Sequence, residues 1–305
     1  MLVAHHLASR VLPRHASRFS RHDFTLPQLF ACLVVREHQR KSYRGAEALL
    51  RDCRHWCRGI GMRKVPDHNT LCRAFHALLG GVRVTRLMDR LTRWMTLAGV
   101  LRGDTCAIDS TMYDAHYSSR HYEHRCRRHA SADPAVANRR RARAARAMPK
   151  LSFSVDVACH VILAARTRTG LRSDQREWPP LLRASKRRVP GLRVALGDAG
   201  FDSHANHAVA RRQLRVRSLI RASTPRAGDR PPRSRYRRLM RTKLSGPQRG
   251  KPYGRRAAAE TVNSMMKRNL GDHLRARTVA GRKKEQMLRV ITHNLMILLS
   301  RADEG

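Results

Sequence analysis

Sixty-four Lys and Arg residues stand against 22 Asp and Glu, and the resulting charge of +42 constrains this chain more than any other feature. About one net positive charge per seven residues repels itself in any compact state unless a polyanion lies against it. Nucleic acid is the expected partner. High-GC coding would raise Arg over Lys, which number 55 and 9, but it does not explain why Glu occurs only 7 times. The 305 residues suffice for one large domain or two smaller ones, and 41% hydrophobic with 5% aromatic residues allows a modest core.

No run of 18 apolar residues is present, so a membrane-spanning helix is excluded, and the first 15 residues lack the uninterrupted apolar core of a signal peptide. An intracellular location is expected. The 7 cysteines are scattered; Cys53 and Cys57 are separated by three residues with no second pair behind them. Reduced, partly buried thiols are one reading and a zinc site is the other.

Residues 24–98 contain no convincing strand. Leu26, Leu29, Phe30, Leu33 and Val34 form one apolar helical face, and Asp67-His68-Asn69 offers caps for a second run with Leu71, Phe75, Leu78 and Leu79. Breaks fall at 58–61 and at Gly80-Gly81. Arg44, Arg51, Arg54 and Arg73 around these short helices suit either a DNA-reading helical unit or a plain bundle with a solvated basic face.

After Gly103 the texture changes. Residues 105–109 read as a buried strand ending in Asp109, and a polar, arginine-rich stretch from about 113 to 150 reads as a mobile basic connection. Residues 151–158 and 161–166 read as a hairpin turning near Cys159-His160, followed by a helix from Trp178 with Pro179 and Pro180 in its first turn. A strand over 194–198, a helix over 204–212, a strand over 216–220 and a closing helix over 284–301 complete an α/β order. The segment 224–252, rich in Pro, Gly, Arg and Ser, reads as a loop suited to phosphate contact.

Two strands thus end in aspartate, Asp109 and Asp198, where rigid backbone would hold a carboxylate within reach of a divalent cation. For either residue alone, a helix cap or turn aspartate is the commoner explanation. Around Glu260, Tyr253, Arg256 and Lys267 fall at offsets of −7, −4 and +7, which places all four on one face of a predicted helix. An ordinary amphipathic helix with a salt-bridged surface would show the same charges.

These residues resemble the insertion-sequence transposases of the DDE class with the signature Y-x2-R-x3-E-x6-K, which Tyr253, Arg256, Glu260 and Lys267 match at every spacing. With this composition the match arises by chance about once in ten thousand times around any given Glu. Asp109 and Asp198 look like that family's first and second aspartates. The resemblance, covering residues from about 24 to 300, implies an RNase H-like core, a mixed sheet with helices on both faces, preceded by an all-helical N-terminal region. It implies a DNA-binding or dimerising region over 1–100 and a catalytic domain over 101–301 with basic insertions at about 113–150 and 224–252. The expected activity is metal-dependent phosphodiester cleavage at element ends and strand transfer into target DNA.

Asp109, Asp198 and Glu260 are then the catalytic and metal-binding residues for Mg²⁺ or Mn²⁺, in a two-ion arrangement. Tyr253, Arg256 and Lys267 are the DNA-binding residues, with helix packing as the other role open to Tyr253. The implied partners are double-stranded DNA, both ends and target, and a second copy of the chain in a homodimer on DNA, with a cytoplasmic, nucleoid-associated location. Asp174 reads as a cap for the helix at Trp178 or as a supporting residue, and Asp114, Asp156 and Asp202 have no assigned role. An RNase H-like nuclease that only cuts, and a catalytically inactive basic DNA-binding protein, remain as rival readings.

Overall fold

The computed structural model describes residues 1–19, 21–115, 148–170, 173–223, 234–246 and 252–302. Its chain divides into two units, one made of Met1–Val100, Met265–Gly271 and Lys284–Gly305, the other of Leu101–Ser264 and Asp272–Lys283.

The first unit opens with six helices: α1 (Leu2–Ser9), α2 (Leu26–His38), α3 (Tyr43–Asp52), α4 (Arg54–Gly59), α5 (His68–Leu78) and α6 (Gly81–Leu97). Their starts follow from caps. Thr25 and Gln28 form a reciprocal capping box at α2, Ser42 caps α3, and Asp67 accepts the Thr70 N–H at 2.8 Å to begin α5. The expected apolar face of α2 is buried, and burial extends round the helix to Glu37, so α2 is the central helix of this unit. Helix α1 went unforeseen, although Ala4, Leu7 and Ala8 share one buried side of it.

The second unit is built on a five-stranded sheet. Its strands are β1 (Thr105–Met112), β3 (Pro149–Asp156), β4 (Ile162–Thr169), β5 (Val194–Gly197) and β6 (Arg217–Ile220), in the order β4-β3-β1-β5-β6. The first three pair antiparallel and the last three parallel. A pair of two-residue strands, β2 (Asp114–Ala115) and β7 (His273–Leu274), lies apart. The expected order of strands and helices holds, and this mixed sheet is the RNase H-like arrangement. Strand β3 is buried at all eight positions, so both its faces are covered.

Helix α7 (Trp178–Arg188) begins with Pro179 and Pro180, as expected, and packs Trp178, Leu181, Leu182 and Ser185 inward. A Cβ on Gly197 would lie 2.5 Å from Trp178 Cζ3, so a side chain there and the buried indole exclude each other. Helix α8 (His204–Ala208) continues into a π-helical turn, Val209–Gln213, and α9 spans Arg235–Lys243. The last two helices are α10 (Ala257–Leu270) and α11 (Val279–Ala302).

Several boundaries differ from the sequence reading. Strand β1 does not stop at Asp109 but runs three residues further, because Ser110, Thr111 and Met112 pair with Ser152, Leu151 and Lys150. Strand β3 accordingly starts at Pro149, and Tyr113 beyond β1 is buried. The expected loop over 224–252 contains α9, whose nine residues lack Gly and Pro and bury Met240. Residues 116–147, with the arginine run at 139–141, lie outside the described residues, as do 224–233 and 247–251. No helix among the described residues is long and apolar enough to cross a membrane.

The helical unit holds a buried ionic cluster. Arg289 of α11 donates to Glu37 at 2.9 Å, to Glu285 at 3.1 Å and to the Gly271 carbonyl at 2.6 Å, while Arg36 pairs with Glu37 at 3.2 Å. Mutual satisfaction is what allows these charges to be buried. The described cysteines form no disulfide, and Cys53 and Cys57 have no further ligands for zinc among the described residues.

Candidate active site

The parallel register of β1 and β5 pairs Ile108 with Gly197, so the residues that follow them, Asp109 in β1 and Asp198 just beyond β5, are neighbours. Asp109 Oδ1 accepts the Ser110 N–H at 2.8 Å. Asp198 follows the last residue of β5 and caps a 3₁₀ turn, Ala199–Phe201, its Oδ1 accepting the Gly200 N–H at 3.0 Å. A cap was the plainer reading of this aspartate, and it holds alongside the proximity to Asp109.

Burial holds the Asp109 carboxyl above the ordinary carboxylate pKa. The Ser110 N–H and Arg256 act against that rise, and the charges of Asp198 and Glu260 add to it. Asp198 is raised in the same way, by burial first and by the charge of Asp174 next among the raising influences. Half-buried carboxylates pressed together in this way gain from any cation that enters between them.

Tyr253 and Arg256 lie in a 3₁₀ helix, Pro252–Arg256, rather than on the α-helix expected from their spacing; α10 begins one residue later. Pro252 and Gly254 explain the late start, since one lacks an N–H and the other is a poor α-helix former. Tyr253 is buried, and its hydroxyl donates to the Gly197 carbonyl at 3.1 Å. It takes the packing role, fixing the start of α10 to the residue just before Asp198. Arg256 Nη2 lies 2.5 Å from Glu260 Oε1, so the i, i+4 pair is formed. Glu260 is exposed in the first turn of α10, and Lys267 lies two turns further along it.

The remaining aspartates separate by environment. Asp202 is fully buried, held by Arg237 Nη2 at 2.9 Å and by the N–H and hydroxyl of Ser223 at 3.1 Å each, which makes it the anchor of α9. Asp156 closes the hairpin turn by accepting the N–H groups of Ala158 and Cys159. Asp114 lies on β2, 3.8 Å from His273. Asp174 does not cap α7: it opens its own 3₁₀ turn, Asp174–Arg176, which Ser173 caps. Its Oδ1 accepts the Ser110 hydroxyl at 2.6 Å and meets Lys150 Nζ at 2.5 Å. In sequence Lys150 reads as the end of a polar connection, whereas the structure makes it part of β3.

Hard carboxylate oxygens suit Mg²⁺ or Mn²⁺. Asp109 and Asp198 provide them at a common edge of the sheet. Among the described residues no three His, Cys, Asp or Glu side chains stand close enough to share one ion, and Glu260 is turned onto Arg256. The donor set fits a divalent cation in chemistry, with its third member engaged elsewhere.

The mixed sheet thus gathers acidic residues where β1 meets β5. Residues 101–295 match the family described as the transposase DDE domain, and the chain belongs to that family of DNA transposases. Asp109, Asp198, Tyr253, Arg256, Glu260 and Lys267 all lie within the matched range. No curated protein is similar in sequence. Among solved structures, a piggyBac transposase in a synaptic complex with hairpin DNA is similar over 99% of this chain and 71% of that chain, at 9% identity and a TM-score of 0.45.

Proposed function

We propose that this transposase binds the ends of its element, cleaves phosphodiester bonds there and joins the freed 3′-hydroxyl to target DNA, with Asp109, Asp198 and Glu260 as the catalytic carboxylates. The observation that carries the reading is the convergence of three chain segments: β1 and β5 set Asp109 beside Asp198, and the bond from Tyr253 to Gly197 brings the Glu260 helix to the same edge. Asp109, Asp198 and Glu260 would hold divalent cations, two in the arrangement expected, which when bound would supply activation of the attacking oxygen and stabilisation of the leaving 3′-oxygen of a phosphodiester.

The chain's own groups have distinct tasks. Asp109 from β1 and Asp198 from the turn that follows β5 would hold the cations, their ionised forms stabilised by backbone N–H groups. Glu260 joins them on leaving Arg256, whose planar guanidinium is then free to bind a DNA phosphate through two parallel hydrogen bonds. Lys267 acts on the DNA backbone as a point charge. Exposed Arg44, Arg51, Arg54 and Arg73 on the N-terminal helices give that region a basic surface for reading the element's ends, as a homodimer.

The test is cleavage and joining of DNA that carries the flanks of the coding region, with and without Mg²⁺. Asp109→Ala, Asp198→Ala and Glu260→Ala should each abolish both steps while DNA affinity stays, because binding is spread over many cationic groups. Full activity of Glu260→Ala would overturn the assignment. Cleavage without joining would favour the nuclease, and binding without cleavage the inactive DNA-binding protein.

A further inference from the structure

Beside the proposed carboxylates lies a cluster that the reading above leaves unused. Ser110 follows Asp109 on β1, and its hydroxyl donates to Asp174 Oδ1 at 2.6 Å. Lys150 on β3 pairs with the same oxygen at 2.5 Å, and it is buried, with a side chain 9% exposed. The three residues come from β1, β3 and the turn before α7, so one carboxylate oxygen ties together three segments.

The Asp174 turn is also fastened to the Asp198 turn. Gln175 Nε2 donates to the Asp202 carbonyl at 3.0 Å, and Asn206 Nδ2 donates to the carbonyls of Gln175 at 3.0 Å and Phe201 at 2.9 Å. A Cβ on Gly200 would lie 3.1 Å from Asp198 Oδ1 and 3.7 Å from Asp174 Oδ2, so the two carboxylates flank the same glycine. A buried Lys and a carboxylate placed next to another carboxylate are costly arrangements unless they serve each other or a neighbour. A structural ion pair alone gives no reason for standing against Asp198.

We propose that Asp174, neutralised by Lys150 and bonded to Ser110, is a positioning residue of the transposase reaction that fixes the spacing of Asp109 and Asp198. It acts from both sides: through Ser110 it holds the β1 segment that carries Asp109, and through its turn it holds the loop that carries Asp198. A carboxylate pair kept at fixed spacing is ready for cations without rearrangement, whereas a pair free to drift must be reordered at each turnover. Lys150 keeps the added negative charge from driving Asp198 away.

This inference rests on the catalytic reading of Asp109 and Asp198, and the experiment separates the two. The full-length protein is measured as wild type, Asp174→Asn, Ser110→Ala, Ser110→Thr and Asp198→Asn, each for kcat and KM in Mg²⁺-dependent cleavage, for Mn²⁺ affinity by calorimetry without DNA, and for Tm. Asp174→Asn preserves shape and the Ser110 bond but loses the charge that pairs with Lys150. It should lower kcat and Mn²⁺ affinity by about 10-fold or more, as outer residues around metal ligands do, with KM for DNA within about 2-fold. Ser110→Ala should lower kcat in the same direction, and Ser110→Thr, which restores the hydroxyl, should recover most of it. Wild-type kcat and Mn²⁺ affinity in Asp174→Asn, with Asp198→Asn inactive, would overturn the inference alone. A fall in Tm and kcat with Mn²⁺ affinity unchanged would also overturn it, by making the cluster a structural pair. Activity in Asp198→Asn would instead overturn the catalytic reading beneath it.

Discussion

Changing Arg256 to Gln removes the guanidinium that binds Glu260, and the structure gives two accounts of that guanidinium with different magnitudes. As a structural bridge it joins residues four apart whose side chains are 25% and 59% exposed. Solvent-exposed pairs of this kind stabilise by about 0.3–0.5 kcal/mol, which in a protein of this size lowers Tm by about 1–2 °C when lost. As a phosphate ligand in the transition state, the same group makes charge-assisted hydrogen bonds worth about 1.5–3 kcal/mol, or about 10- to 150-fold in rate. The two effects are separable because one is read by melting and the other by single-turnover cleavage.

Expected for Arg256→Gln is therefore a Tm within about 2 °C of wild type and a single-turnover rate at least about 10-fold lower, with DNA affinity falling by less than the rate. Arg256→Lys should not restore the rate, since the ammonium lacks the planar fork. All three quantities should be measured on the same preparations at fixed salt, because exposed pairs weaken as ionic strength rises. A single-turnover rate within about 2-fold of wild type, with Tm lowered, would refute the phosphate role and leave Arg256 as a helix bridge.

Four further outcomes are expected. Gly197→Ala forces a Cβ to 2.5 Å from Trp178 and should destabilise by about 1–3 kcal/mol in denaturant unfolding, so an unchanged midpoint would contradict the packing described. His207 is buried, and burial lowers its pKa to about 4, with Asp202 opposing the shift and Arg211, Arg237 and His204 adding to it. The folded value lies below the unfolded one near 6.5, so this contribution is present above about pH 6.5 and is lost as pH falls towards 4. It amounts to about 3 kcal/mol at most and should vanish from urea unfolding curves of His207→Phe. Arg237→Ala leaves Asp202 buried without its cation, so hydrogen exchange over Arg235–Lys243 should rise sharply while β5 stays protected. Replacing Arg44, Arg54 and Arg73 together by Ala in the full chain should lower affinity for terminal DNA and reduce the salt slope; an unchanged slope would remove these residues from the interface.

The sheet was legible because its strands are short apolar runs bounded by polar residues, and β5, Val-Ala-Leu-Gly, is the plainest of them. What escaped depended on contacts between distant segments. In sequence Asp109 reads as a strand end because Ser110 and Thr111 are polar, yet across the sheet they face Ser152 and Leu151, and pairing carries β1 onward. The same contact explains Lys150, a cation that reads as solvated until Asp174, 24 residues later, is seen to bury it. Helix α9 was hidden by its arginines and revealed by one salt bridge to Asp202. In the helical unit, the cap at Asp67 is local and was readable, whereas the cluster of Glu37 and Arg289 joins residues 252 positions apart and was not.

The charge imbalance also explains why the carboxylate pair stands out. In a chain with 64 cationic side chains, a carboxylate finds a partner readily, and most described ones have done so: Glu37 and Glu285 with Arg289, Glu177 with Arg166 and Arg168, Asp202 with Arg237, Asp23 with Lys64. Asp109 and Asp198, like Asp52, Asp67, Asp104 and Asp156, have not, but these two lie beside each other. Among the described residues both are held by backbone N–H groups, and neither forms an ion pair, although Arg256 is near enough to influence both. Backbone amides orient a carboxylate without neutralising it, so the negative charge of the pair stays available. The arrangement keeps side-chain cations off two half-buried, neighbouring carboxylates, and this is the condition under which a divalent cation, with its higher charge density, is the favoured occupant.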